Sequence, residues 1–163
     1  MYTSFYQSPL GPVRISASEA GLLSVSFIEE EQGQYLAEPA VANTLSRLAV
    51  QQLDEYFNGK RTAFDIPLSP SGTSFQEAVW RELVKVPFGK TESYGYIAHQ
   101  LNNPLSIRAV GSANNRNPIA VFIPCHRIIG ADGSLTGYAG GLWRKEYLLK
   151  LERAGQPVQA TLW

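Results

Sequence analysis

The residues best equipped for chemistry lie together in Ile123-Pro124-Cys125-His126-Arg127-Ile128-Ile129-Gly130, which holds the only cysteine of the chain. A lone cysteine cannot close an internal disulfide or anchor a cysteine-rich zinc site, so Cys125 is a nucleophile or a small buried hydrophobe. A free thiol ionises near pH 8.5, at about a few per cent thiolate in neutral solution. Pairing with an imidazole raises that fraction, and His126 is the obvious partner. Consecutive side chains of an extended segment point to opposite faces, however, so the pair needs a bridging water or a local turn after Pro124. A third group should orient the imidazole, and Glu146 and Glu152 are the carboxylates available on the C-terminal helix. On the residues alone, the buried apolar thiol stays open as the alternative. Metal binding is not expected, because the soft ligands are Cys125, His126 and His99 alone, and the first two are sequence neighbours. His99 reads as a plain helix residue.

These groups must be held by two differently built halves. Tyr2–Tyr6, Val13–Ala17 and Leu22–Ile28 read as short strands, separated by the turn signals Ser8-Pro9-Leu10-Gly11-Pro12 and Glu19-Ala20-Gly21. Glu29-Glu30-Glu31 with Gln32-Gly33 reads as a solvated loop. Val41, Leu45, Leu48, Ala49, Leu53, Tyr56 and Phe57 recur at helical spacing, and Asn58-Gly59 ends that helix. Leu68-Ser69-Pro70-Ser71-Gly72 marks a boundary, giving domains 1–72 and 73–163. Thr73-Ser74-Phe75-Gln76 has capping-box spacing, which starts a helix at about Ser74. Ser93 caps a helix through Leu101, Asn102-Asn103-Pro104 breaks it, and Ser106 opens a second from Ile107 to about Asn114. This pair is similar to a helix-turn-helix. Small Ala109, Gly111, Ser112 and Ala113 give the second helix a low profile, fit to approach a surface or groove. The fold class expected is α+β, a small antiparallel sheet with a covering helix followed by a mainly helical domain.

Bulk properties set the outer limits. At 163 residues and 44% apolar content, the chain is long enough to bury a core without disulfides. No apolar run approaches the roughly 18 residues of a membrane span, and no targeting segment is read at Met1-Tyr2-Thr3-Ser4. A free thiol without such a segment points to a reducing, cytoplasmic setting. The formal net charge is zero, which at first argues against a nucleic-acid partner. Its distribution argues the other way. Residues 1–72 carry 4 Lys and Arg against 8 Asp and Glu, a net of −4, and residues 73–163 carry 10 against 6, a net of +4. A basic binding domain with an acidic companion has that asymmetry.

The run around Cys125 resembles the signature of the O6-alkylguanine-DNA alkyltransferases. The resemblance extends from about Thr73 to Glu152, through Pro87-Phe88-Gly89-Lys90-Thr91-Glu92-Ser93-Tyr94, Arg108-Ala109-Val110-Gly111, Asn117-Pro118 and Thr136-Gly137-Tyr138-Ala139-Gly140-Gly141. It implies a suicide repair reaction on double-stranded DNA, in which a guanine alkylated at O6 is flipped out and its alkyl group moves to Cys125. By the same resemblance Glu152 orients His126, which deprotonates Cys125 through a water, and Asn117 braces the segment. Arg108 fills the vacated place in the base stack, and Tyr94 rotates the nucleotide and donates to the base. Ala109, Gly111 and Arg116 join the DNA-binding surface. Backbone groups of Cys125, Ile128 and Ala139 read the guanine edge, and Tyr138 and Gly140 shape the pocket loop. Arg127 is expected to support structure or contact phosphate. No cofactor is implied. The protein is expected to act as a monomer, and cooperativity along DNA is left open.

Departures from the family pattern are few. Ala139 replaces a common serine, but the implied contact there is made by backbone. Asn115 stands where many members have glycine, and Asn tolerates the left-handed backbone of a helix end. Residues 1–72 hold no Cys or His, so the structural zinc of some members is not expected, nor is an added regulatory module. Two rivals are weighed. A lesion-binding relative without an acceptor thiol is opposed by Cys125, His126, Asn117 and Glu152 together. A cysteine hydrolase or redox sensor leaves Arg108, Tyr94 and the helix pair unexplained.

Overall fold

The computed structural model describes residues 1–29 and 40–154; most of the acidic loop Glu29–Gly33 lies outside them. Three strands, β1 (Tyr2–Ser8), β2 (Gly11–Ala17) and β3 (Leu22–Phe27), form an antiparallel sheet in sequence order. The first turn is tight because Gly11 adopts a φ of +107° and Ser8 Oγ donates to its carbonyl. Alternation along β2 sends Val13, Ile15 and Ala17 inward, each no more than 1% exposed.

Helix α1 (Thr44–Phe57) covers this sheet. It begins at a reciprocal capping box, in which Asn43 and Ser46 each accept from the other's backbone N–H, a spacing the sequence reading passed over. The apolar periodicity suggested a start nearer Val41, but Thr44 is the first helical residue. Gly59, with a φ of +74°, ends the helix where Asn58-Gly59 indicated.

The second half is helical. Helix α2 (Ser74–Val84) starts at the expected box of Thr73 and Gln76. Strand β4 (Glu92–Ser93) leads into α3 (Tyr94–Gln100), capped by Ser93 Oγ, and α4 (Ile107–Asn115) follows a turn in which Asn102 has a φ of +56°. Ser106 precedes α4 without capping it through its side chain, and donates instead to Asn103 O at 2.6 Å. Trp80 Nε1 donates to Ala113 O at 2.9 Å, which fixes α2 against α4. The last elements of the described residues are strand β5 (Ile128–Ile129) and helix α5 (Leu142–Ala154). No helix among the described residues is long and apolar enough to cross a membrane.

Two connections went unread in the sequence because they pair residues far apart in the chain. Strand β3 exchanges backbone bonds with the C-terminal half: Val25 N–H donates to Pro118 O (2.9 Å) and Ala120 N–H to Val25 O (3.0 Å). This covers an otherwise open sheet edge and fuses the two halves through one hydrophobic core. The second is the parallel pair β4·β5, which sets Glu92 and Ser93 beside Ile128 and Ile129 and so anchors the start of α3 to the segment after Cys125.

Replacing Asn43 by Ala removes the α1 cap and its second bond, from Nδ2 to Ser18 O. The expected cost is about 1–2 kcal/mol, seen in thermal melting as a Tm lower by about 2–8 °C.

Candidate active site

Cys125 does not lie in an extended segment. Residues Cys125–Arg127 form a single 3-10 turn after Pro124, so Cys125 and His126 need not face opposite ways as a strand would require. The turn is preceded by Val121, which is buried with a φ of +69°, a costly backbone for a β-branched residue. Bonds from Phe122 N–H to Ala120 O (2.8 Å) and Ile123 N–H to Ile119 O (3.0 Å) hold it there. The strain therefore sits four residues before the thiol, in the loop that aims it.

Asn117 secures the thiol. Its Nδ2 donates to Cys125 Sγ at 3.1 Å and to Ile123 O at 2.8 Å, while its Oδ1 accepts from Ile119 N–H at 2.9 Å. Asn114, one turn-end earlier on α4, donates through Nδ2 to Cys125 O at 3.3 Å. Cys125 is 6% exposed and borders a cavity of about 130 Å³. The lining comes from both halves: Val25, Ser26 and Phe27 of β3 face Asn114, Asn117, Tyr138, Ala139 and Gly140. The contribution of β3 was not legible in the sequence.

Behind the thiol stands a buried charge cluster. His126 Nε2 lies 2.7 Å from Glu152 Oε2, and both residues are at most 1% exposed. Arg127 binds the same carboxylate with two donors, Nε to Oε1 (2.8 Å) and Nη2 to Oε2 (2.9 Å), and its Nη1 donates to Val86 O (2.7 Å). Tyr56 OH on α1 donates to Oε2 at 2.7 Å, and Gly89 N–H to Oε1 at 3.4 Å. Of the two candidate carboxylates, Glu152 takes the imidazole. Glu146 is exposed and pairs with Lys150 at 2.9 Å. Arg127 is a structural cation, 7% exposed, and does not reach outward toward a phosphate.

The charge states follow from these contacts. Burial works to raise the Glu152 carboxyl, but the hydrogen bonds and charges of His126 and Arg127 outweigh it and hold the group well below the usual carboxylate range. Burial lowers His126 against the pull of Glu152, and the Arg127 cation, already neutralising that carboxylate, adds to the lowering. The resting ring is therefore neutral. With Nε2–H given to Glu152, its Nδ1 carries the lone pair. Nδ1 is buried and has no hydrogen-bond partner among the described residues, so ring and thiol do not bond directly. Burial pushes the Cys125 thiol up, although the Asn117 bond favours its anion. The site thus holds a neutral thiol at Cys125 and, in the next residue, a neutral imidazole whose Nδ1 can accept a proton.

Tyr94 does not border the cavity. Its hydroxyl donates to Thr136 O at 3.1 Å and accepts from Thr136 Oγ1 at the same distance. Lys145, lowered to about 8 by burial, donates to that Thr136 carbonyl (2.7 Å) and to Ile128 O (2.6 Å). Lys145 thus ties the pocket loop to the strand after the thiol, a role no local motif signals. The Ile128 side chain is wholly buried in the core, which leaves its backbone as the part available to the site. Arg108 and Ala109 are exposed on α4 and Arg116 just past its end, and Gly111 faces the Tyr94 ring, where a Cβ would make ordinary contact at 3.9 Å. That surface is free of opposing charge on its own segment, since Ser93 to Arg127 contains no Asp or Glu, a signal the sequence reading had not used.

Both His126 and Glu152 have folded-state pKa values below their unfolded ones. Each therefore supports the fold above its unfolded pKa and withdraws that support as pH falls through the folded value. Thermal stability is expected to decline below about pH 6.5 through His126 and again below about 4.3 through Glu152. Glu152→Gln leaves the Arg127 guanidinium buried and unpaired, an expected loss of about 3–5 kcal/mol in denaturant unfolding at neutral pH. A cost under about 1 kcal/mol would contradict the cluster described here.

Comparison with known proteins gives a consistent result. Residues 74–154 match the family model described as 6-O-methylguanine DNA methyltransferase, DNA binding domain, and residues 1–70 match 6-O-methylguanine DNA methyltransferase, ribonuclease-like domain. The chain is 48% identical over 153 residues to the methylated-DNA–protein-cysteine methyltransferase of Methanosarcina acetivorans, covering 93% of this chain and 98% of that one. It is 43% identical over 159 residues to the protein so named in Mycobacterium tuberculosis, covering 95% and 94%. A crystal structure of Mycobacterium tuberculosis OGT in complex with DNA superposes with a TM-score of 0.85 at 42% identity, over 96% of each chain.

Proposed function

The chain belongs to the O6-alkylguanine-DNA alkyltransferase family and repairs DNA by alkyl transfer, and from that premise we propose how its own residues carry the reaction. Cys125 is the acceptor. His126 Nδ1 takes the thiol proton through an intervening water, and Glu152 stabilises the imidazolium that forms. The thiolate sulfur attacks the alkyl carbon, the S–C bond forms as the C–O6 bond breaks, and the electron pair passes to the guanine oxygen. The Ala139 N–H faces that oxygen, and Tyr94 supplies the proton the departing base needs. The product is a thioether, and the chain offers no second thiol to take the group away. Each molecule acts once.

The observation that carries this reading is the arrangement of a buried thiol at a cavity with a neutral, carboxylate-held imidazole behind it. The cavity of about 130 Å³ is well below the roughly 300–1,000 Å³ of drug-sized pockets. It suits one planar base taken out of the stack, not a base pair. Helix α4 enters the minor groove, where its small residues permit close approach and readout is degenerate. Arg108 occupies the gap left by the flipped nucleotide, and Arg116 contacts phosphate. Tyr138 and Gly140 border the base, with carbonyls of Cys125 and Ile128 at its edge. For this, Tyr94 must exchange its Thr136 contacts for the base, so the loop 130–142 adjusts on binding. Residues 73–163 are the DNA-binding and alkyl-transfer domain and residues 1–72 its companion. The protein works as a monomer in the cytoplasm, where a lone thiol stays reduced.

Intact-protein and peptide mass spectrometry after mixing with a duplex holding one O6-methylguanine tests the chemistry. One methyl per chain on the Cys125 peptide is expected, and none in Cys125→Ala. Tight lesion binding without any mass change would instead identify a recognition protein with a silent thiol. For the DNA surface, Arg116→Ala is expected to weaken binding of all duplexes alike and to reduce the salt slope by about 1.

A further inference from the structure

Tyr56 belongs to the N-terminal half, at the end of the helix that covers the sheet, and its periodic position marks it as a core residue. Its ring behaves as one, packed against Phe57, Phe64 and Phe88 at centroid distances of 5.2, 5.5 and 6.3 Å. Its hydroxyl has a different environment. It is buried, and it donates at 2.7 Å to Glu152 Oε2, the same oxygen that meets His126 Nε2 at 2.7 Å. A packing residue needs no hydroxyl, and phenylalanine would fill the same aromatic cluster. We propose that Tyr56 is a positioning residue for alkyl transfer: by sharing Glu152 Oε2 with His126, its hydroxyl limits how strongly the carboxylate attracts the imidazole proton, and so sets the basicity of His126. This rests on the reading of His126 as the base for Cys125, and it gives the N-terminal half a part in the chemistry.

The argument is one of charge balance on a single oxygen. Every hydrogen bond that Glu152 accepts draws density from the carboxylate and weakens its hold on a protonated ring. The groups facing this cluster are Tyr56 from α1, Arg127 from the 3-10 turn, the Gly89 N–H from the loop after α2, and Lys145 and Tyr138 from the pocket side. Arg127 is a full cation with two bonds to the carboxylate, and its place is fixed by Val86 O. Tyr56 is the neutral donor on Oε2. It stays neutral, because burial and the adjacent Glu152 raise its own ionisation well above the ordinary tyrosine value. Its strength as a donor can therefore be changed without changing the charge of the site.

Substitution provides that change in both directions. Tyr56→Phe removes the hydroxyl and keeps the ring. With one donor fewer, Glu152 holds the imidazolium more tightly and His126 becomes more basic. Since transfer needs the neutral ring, the acid limb of the single-turnover rate against pH moves upward, by about half a unit or more. Placing 3,5-difluorotyrosine at position 56 makes the hydroxyl a stronger donor in the same geometry, and the limb moves downward. Tyr6→Phe is the control: it removes a hydroxyl that bonds Asp54 on the same helix at 3.1 Å, away from Glu152, and the profile stays in place.

The measurement is the rate of methyl transfer from an O6-methylguanine duplex to full-length protein between pH 5 and 8, with His126 ring titration followed by NMR. Opposite shifts for the phenylalanine and fluorinated forms establish the role. An acid limb unmoved in both, whatever the loss of Tm, makes Tyr56 a packing residue only and overturns the proposal. The NMR titration reads the same balance if either form is too slow to assay. Failure of the parent reading looks different: the unaltered protein itself then transfers no methyl group to Cys125.

Discussion

The burial of one carboxylate organises the site. Glu152 is 1% exposed and would be strongly disfavoured as an anion without compensation. Compensation comes from Arg127, His126, Tyr56 and Gly89, which reach it from the turn after Pro124, from helix α1 and from the loop after α2. These elements cannot separate without exposing or orphaning a charge. The carboxylate that holds the His126 ring is thus also a tie between the two halves of the chain. The fold around the thiol has the charge state of this cluster built into it.

That constraint accounts for the division between rigid and adjustable parts. Cys125 is held from behind by Asn117, by the 3-10 turn and by a strained Val121, all within or beside the core. The loop over the cavity is tied to the rest of the domain chiefly at Thr136 O, which receives both Tyr94 OH and Lys145 Nζ, the first of these bonds being exposed. On the proposed reaction, a base entering the cavity meets a thiol already fixed in place and exchanges contacts with the loop. Nucleophilic displacement demands that the sulfur be aimed, and pre-set backbone geometry does this without reorganisation at the moment of reaction.

The two halves also divide the charge. The segment Ser93–Arg127 carries no acidic residue, and its exposed arginines lie on α4 and just past its end. The sheet half is acidic, and it supplies β3 as one wall of the cavity, a phenol from α1, and Glu29, which borders the cavity and is paired with Arg144 at 2.9 Å. Without acidic neighbours in the segment Ser93–Arg127, the α4 face carries a positive charge that suits a polyanion.

By itself the sequence determined the elements that depend on neighbours in the chain. Alternation marked the strands, apolar spacing marked α1, Thr73 and Gln76 marked the start of α2, and Ser93 capped α3, because propensity, capping and periodicity act over a few residues. It also put Cys125, His126 and Asn117 within a span of ten residues, close enough for side-chain chemistry to be read directly. The residues alone narrowed the partner of His126 to Glu146 or Glu152, the family resemblance pointed to Glu152, and the packing of α5 places Glu152 against the ring. The 3-10 turn replaced the extended segment because the bonds at Ala120–Ile123 and the buried Arg127 outweigh a local preference for extended backbone. The wall from β3, the β4·β5 pair and the Tyr56 hydroxyl each join residues tens of positions apart, and the anchor at Lys145 spans 9 and 17, on faces that no periodicity distinguishes. Tertiary structure decided these, because a buried polar group takes whichever partner the closed core brings within reach.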